Sequence, residues 1–80
     1  MQEKELIEYI ARQLVDNPEK VHVKETRGAS VTVLELHVDR EDMGRVIGKG
    51  GRVANAMRTL LNVAATRSGK QATLDVEDPR

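Results

Sequence analysis

Between residues 48 and 51 the chain reads Gly48-Lys49-Gly50-Gly51, so three of four consecutive residues carry no side chain. Such a run ends any helix or strand that enters it and lets the backbone take conformations closed to other residues. Val46 and Ile47 precede it, and from Arg52 onward apolar residues recur with helical spacing. The loop therefore lies at the start of a helix, where partial positive charge and free N–H groups attract anions. Bare glycine backbone lets an oxygen-rich ligand approach closely. The arrangement reads as a phosphate cradle, and the remaining sequence decides what kind of phosphate it suits.

The 80 residues suffice for one domain, near the lower limit for an independent core. Tyr9 is the only aromatic residue, so the core has to come from Val, Leu, Ile, Ala and Met. Disulfides and thiolate metal sites are excluded because there is no cysteine. No apolar run approaches the ~20 residues of a membrane span, and the opening Met-Gln-Glu-Lys-Glu lacks the apolar stretch of a signal peptide. A cytoplasmic location is expected.

Net charge is zero, yet the charges are segregated. Residues 1–42 hold ten acids and six bases, whereas residues 43–70 hold Arg45, Lys49, Arg52, Arg58, Arg67 and Lys70 and no acid. The whole-chain balance argues against a polyanionic partner, but the local balance argues for one.

Leu6, Ile7, Ile10, Ala11, Leu14 and Val15 mark one face of a first helix, ended by Asp16-Asn17-Pro18. Val21–Lys24 and Val31–Val38 alternate as strands around Gly28-Ala29-Ser30, which predicts an antiparallel hairpin. Facing the apolar sides allows Val23 opposite either Leu36 or Leu34, and the sequence does not choose. Asp39 is a suitable N-cap for a short helix through Met43, with Glu41 and Asp42 favoured in its first turn by the helix dipole. A long helix follows the glycine loop, with a stripe of Val53, Ala56, Met57, Leu60, Leu61, Ala64 and Ala65. Ser68-Gly69-Lys70 ends it, and Ala72, Leu74 and Val76 alternate in a last strand. The predicted class is α+β, in the order α-β-β-α-α-β, with a three-stranded sheet against helices.

Val46-Ile47-Gly48-Lys49-Gly50-Gly51-Arg52-Val53 resembles the signature of KH domains, with Gly48–Gly51 as the Gly-x-x-Gly loop. The element order resembles the type II form, and the likeness spans residues 1–80 as a single domain. Length and the continuation Arg58-Thr59-Leu60-Leu61 are most similar to the small bacterial single-KH RNA-binding proteins of the KhpA family. The resemblance implies a non-enzymatic, RNA chaperone-like protein without cofactor, linked to cell elongation and division. It also implies pairing, as a homodimer or with a larger KH protein.

KH loops clamp the backbone of about four single-stranded nucleotides. On that reading N–H groups around Lys49 and Gly50 meet phosphates, Gly48 and Gly51 allow the turn and the close approach, and Lys49, Arg52 and Arg45 add Coulomb attraction. Ile47 borders the groove, and Asn55, one turn into the helix, offers an amide to a base or ribose. Without Phe or Trp, stacking platforms are missing, so binding has to rest on backbone and aliphatic contacts. Met57 and Leu61, four apart on the long helix, are expected to face partly outward and form a dimer interface.

Rival readings fare less well. Gly44–Gly50 has three residues between its first glycines where a P-loop needs four, and Gly50 stands where Ser or Thr should hold magnesium. His22 and His37 face each other in one hairpin register, but two histidines without a third ligand point to a solvated or structural role rather than metal. No serine or threonine has an evident base partner. A protein–protein assembly module and a single-stranded DNA binder stay open as alternatives.

Overall fold

The computed structural model describes residues 2–77; the ends of the expected 1–80 domain lie outside them. Helix α1 spans Glu3–Leu14, and strands β1 and β2 span His22–Arg27 and Val31–His37. Helix α2 spans Met43–Ile47, α3 spans Arg52–Arg67, and β3 spans Gln71–Glu77. The order is α-β-β-α-α-β, as the sequence predicts, and the fold is α+β. The helices cover one face of a sheet ordered β1-β2-β3, antiparallel between β1 and β2 and parallel between β2 and β3.

Helix α1 turns Ile7 and Ala11 into the core and ends as predicted, with Val15 already extended and Asn17 held non-helical before Pro18. The hairpin adopts the register His22↔His37, Val23↔Leu36 and Lys24↔Glu35. Turn geometry makes the choice: Gly28 N–H donates to the Val31 carbonyl at 2.7 Å, so Gly28 closes the turn and Ala29-Ser30 form its tip. The two histidines do sit opposite each other, but no cluster of three metal-ligating side chains occurs among the described residues.

Alternation on β2 buries Thr32, Leu34 and Leu36 beneath the helices, joined by Val38 just past the strand. Ala72 and Leu74 from β3, Val21 and Val23 from the first strand region, Val46 from α2 and Met57 from α3 complete the core. Each fully buried aliphatic side chain of this kind contributes about 1.5–3 kcal/mol.

Met57 and Leu61 are 1% and 0% exposed, so the expected dimer interface at these residues is not available. The reason lies in the rotation of α3. Its buried line is Ala54, Met57, Leu61 and Ala65, set against the sheet and α1. The wide apolar stripe read from sequence overhangs this line on one side, leaving Leu60 50% exposed, and Val63, which lies outside that stripe, is 53% exposed.

Asp42 also departs from expectation. Asp39 caps a single turn at Arg40–Asp42, accepting from the Glu41 N–H at 3.0 Å. The Asp42 side chain, 1% exposed, does not serve the helix dipole but crosses to the end of α1. It accepts from the Asp16 and Asn17 backbone N–H groups, both at 3.1 Å, and from Asn17 Nδ2 at 3.0 Å. Burial opposes its charge, but these three donors and the nearby Arg45 guanidinium outweigh burial and hold its carboxyl below the ordinary value of 3.8.

A depressed acid pKa stabilises the fold above the unfolded value, and that contribution is lost as pH falls through the folded one. Asp42→Asn is therefore expected to melt well below the wild type at neutral pH, with the gap narrowing as pH falls through the lowered Asp42 carboxyl value. Thermal melts across that range check it; a gap independent of pH contradicts it.

Candidate nucleic-acid interface

The loop joins α2 to α3 through one tight turn at Lys49–Gly51. Gly48 ends α2, its N–H donating to the Gly44 carbonyl at 2.9 Å, and sits at φ 76°, ψ 169°, a region essentially restricted to glycine. A Cβ there would lie 2.5 Å from Val53 Cγ2 and 2.8 Å from the Val53 backbone nitrogen. Gly48 is thus required by the close approach of α3. Gly50 (φ 65°) and Gly51 (φ 79°) follow in left-handed geometry, but nothing lies within 4 Å of a Cβ on Gly50. One glycine faces the protein and the next faces open space.

Helix α3 begins at Gly51 with no side-chain cap, so its positive end stays uncovered by side-chain oxygens. Lys49 and Arg52 are exposed and have no ion-pair partner among the described residues. The other basic residues are engaged or distant. Arg45 Nη2 lies 3.1 Å from Asp16 Oδ2, so its charge is partly cancelled by an acid from the end of α1. Arg67 is fifteen residues beyond Arg52 on α3, about 22 Å along the axis. The acid-free stretch is therefore not one patch: its charge divides between the loop and the far end of α3, where Arg67 suits the helix dipole.

Gly48, Lys49, Gly50, Gly51 and Arg52 are contiguous at the surface, with Asn55 one turn behind them. Ile47 is half-buried and packs against the core, as does Val53, so both support the loop more than they face outward. In the sequence Arg58 counts as a positive charge and as part of the Arg58-Thr59-Leu60-Leu61 continuation, and the structure gives it a position. Its Nε donates to the Leu74 carbonyl on β3 at 3.1 Å, and its Nη1 donates to Asn55 Oδ1 at 3.0 Å. The available signal was the spacing of three between Asn55 and Arg58, which makes them neighbours on a helix. Beside this pair a cavity of about 290 Å3 is lined by Arg58, Asn62, Ala72, Thr73 and Leu74.

The family model for the KH domain of KhpA and KhpB matches residues 4–76. The chain belongs to the KhpA/KhpB KH-domain family. It is similar to the "RNA-binding protein KhpA" of Clostridium perfringens, 51% identical over 91% of this chain and 97% of that one. The protein of the same name from Treponema pallidum is 49% identical over 95% of each chain. That from Aquifex aeolicus is 44% identical over 91% of this chain and 92% of its own. No solved structure matches significantly. The KhpA/KhpB family is non-enzymatic. Among the described residues no helix is long and apolar enough to cross a membrane.

Proposed function

We propose that the chain binds single-stranded RNA in the cytoplasm by clamping its sugar-phosphate backbone on Gly48–Gly51. The observation that carries this reading is the open side of the loop. Above Gly50 there is free space, flanked by the unpaired charges of Lys49 and Arg52 and by the uncapped start of α3. The Gly51 N–H is donated to the Gly48 carbonyl and the Arg52 N–H to the Lys49 carbonyl, so backbone capture of an anion falls to the N–H groups around Lys49 and Gly50. The three relatives described above carry the name RNA-binding protein, which supports RNA as the polyanion. An RNA chaperone-like role belongs to the same proposal, because a clamp that reads backbone engages many sequences weakly.

Salt dependence tests the proposal. Binding of a short labelled single-stranded RNA should weaken with salt, and Lys49→Ala and Arg52→Ala should each flatten the log–log slope by about 0.7. Arg45→Ala should change it less, because Asp16 already holds that guanidinium. No binding, or a slope indifferent to Lys49 and Arg52, contradicts the proposal. The same oligonucleotide in deoxy form separates RNA from single-stranded DNA.

Self-association raises the effective concentration of a second weak clamp, and its surface in this proposal is Leu60 and Val63 rather than Met57 and Leu61. Sedimentation should then show a dimer that Leu60→Asp with Val63→Asp dissociates. A monomer at high micromolar concentration rules this part out.

A further inference from the structure

Arg58 has no task in the clamp, yet it is fixed at two points. On α3, Gly51, Asn55, Arg58 and Asn62 are spaced by four, three and four residues, and so follow one side of the helix. Arg58 Nε is held by the Leu74 carbonyl of β3, which leaves its fork directed at Asn55. A guanidinium only donates hydrogen bonds, so the Asn55 atom 3.0 Å away has to be the carbonyl oxygen. The Asn55 amide nitrogen is thereby turned toward the loop, 3.8 Å from where a Cβ on Gly51 would stand. An asparagine without such a partner presents donor or acceptor with similar ease. This one turns its donor end to the loop.

We propose that Arg58 is a positioning residue that fixes Asn55 as a hydrogen-bond donor, so that the nucleotide lying over Gly51 is selected for an acceptor oxygen. That oxygen belongs to the sugar-phosphate backbone or to a base carbonyl. The inference rests on the reading that RNA occupies the glycine loop, and it adds the polarity of the contact beside it. The cavity between α3 and β3 adjoins the pair, with Ala72 and Leu74 on its apolar side. Asn55→Asp tests polarity in nearly the same shape: it keeps the acceptor that Arg58 needs and replaces the donor with an acceptor.

The experiment compares wild type, Asn55→Ala, Asn55→Asp, Arg58→Gln and the double variant Asn55→Ala/Arg58→Gln on single-stranded oligo-U and oligo-A. Lys49→Asp is the reference for the clamp itself. Asn55→Ala should weaken binding about tenfold without changing the salt slope, because a neutral donor is lost. Asn55→Asp should weaken it further. Arg58→Gln should weaken binding, and the double variant should bind no worse than Asn55→Ala alone, because Arg58 acts through Asn55. The Asn55 side-chain amide pair in 15N–1H spectra should also shift in Arg58→Gln, a readout that loss of global stability does not mimic.

Equal losses on both oligomers identify an oxygen of the sugar-phosphate backbone. Larger losses on oligo-U identify a base carbonyl, which adenine lacks. Undiminished binding by Asn55→Ala, or additive losses in the double variant, overturns this inference while the clamp stands. Undiminished binding by Lys49→Asp overturns the clamp itself.

Discussion

Replacing Lys49 and Gly50 together by aspartate should weaken binding to single-stranded RNA by about a hundredfold or more. The charge-assisted contact of Lys49 is lost, typically about 1.5–3 kcal/mol, and two negative charges arrive where phosphates lie. The fold should survive. Lys49 is exposed, and a side chain at position 50 meets nothing within 4 Å. The left-handed conformation at position 50 costs a non-glycine residue about 1–2 kcal/mol, and aspartate is among those that accept it best. A drop of about 5–10 °C in melting temperature is the expected structural cost for a domain of this size. Lys49→Asp alone avoids it and should keep most of the binding defect. Titration with a labelled oligonucleotide, alongside a thermal melt, measures both effects. Retained binding in the double variant excludes the loop as the site, and loss of dimer without loss of RNA favours an assembly module.

Gly48→Ala should behave in the opposite way, damaging the fold first. Its backbone lies in a region essentially closed to other residues, at a cost of about 1–3 kcal/mol. The added methyl also meets the backbone nitrogen of Val53, which cannot rotate away as a side chain can. Together these should remove about 3 kcal/mol or more of stability, a large share of what so small a domain has. Gly50→Ala shares the left-handed strain but not the collision, so it should cost only about 1–2 kcal/mol. Urea unfolding of the two variants provides the comparison. Equal losses would show that α3 does not approach Gly48 as closely as the structure has it. The pair separates two reasons for glycine within one motif, contact with the protein at 48 and openness to a ligand at 50.

Much of this was legible in the sequence because local chemistry decided it. The glycines had to interrupt two helices, Asn17-Pro18 had to end the first, and the alternation at Leu34 and Leu36 had to face a core. The start of α3 at Arg52 and the α-β-β-α-α-β order followed from those signals. What stayed hidden depended on partners far along the chain. The hairpin register awaited the way Gly28 closes its turn. The rotation of α3 was concealed because an apolar arc running from Val53 to Ala65 is wider than the surface available to cover it. Met57 and Leu61 therefore went inside, while Leu60 and Val63 stayed out.

Charge was the least legible quantity in the site. Arg45 looks as free in the sequence as Lys49, but Asp16, twenty-nine positions away, takes its guanidinium. Asp42 looked like a helix-start acid and instead fastens α2 to the end of α1, which fixes one side of the loop. Arg58 looked like one more positive charge and is a structural fork between β3 and Asn55. A count of bases and acids along a segment overstated the field at the loop by including residues spent elsewhere.

The central claim is that RNA lies on Gly48–Gly51, and a 15N–1H titration of the protein with a short single-stranded RNA tests it most directly. The amide signals of Lys49, Gly50, Gly51 and Arg52 should move most, followed by the Asn55 side-chain pair. Signals on the outer face of the first strand, at His22 and Lys24, should stay in place. Largest shifts on that face or along the first helix, with the loop signals unmoved, would contradict the account.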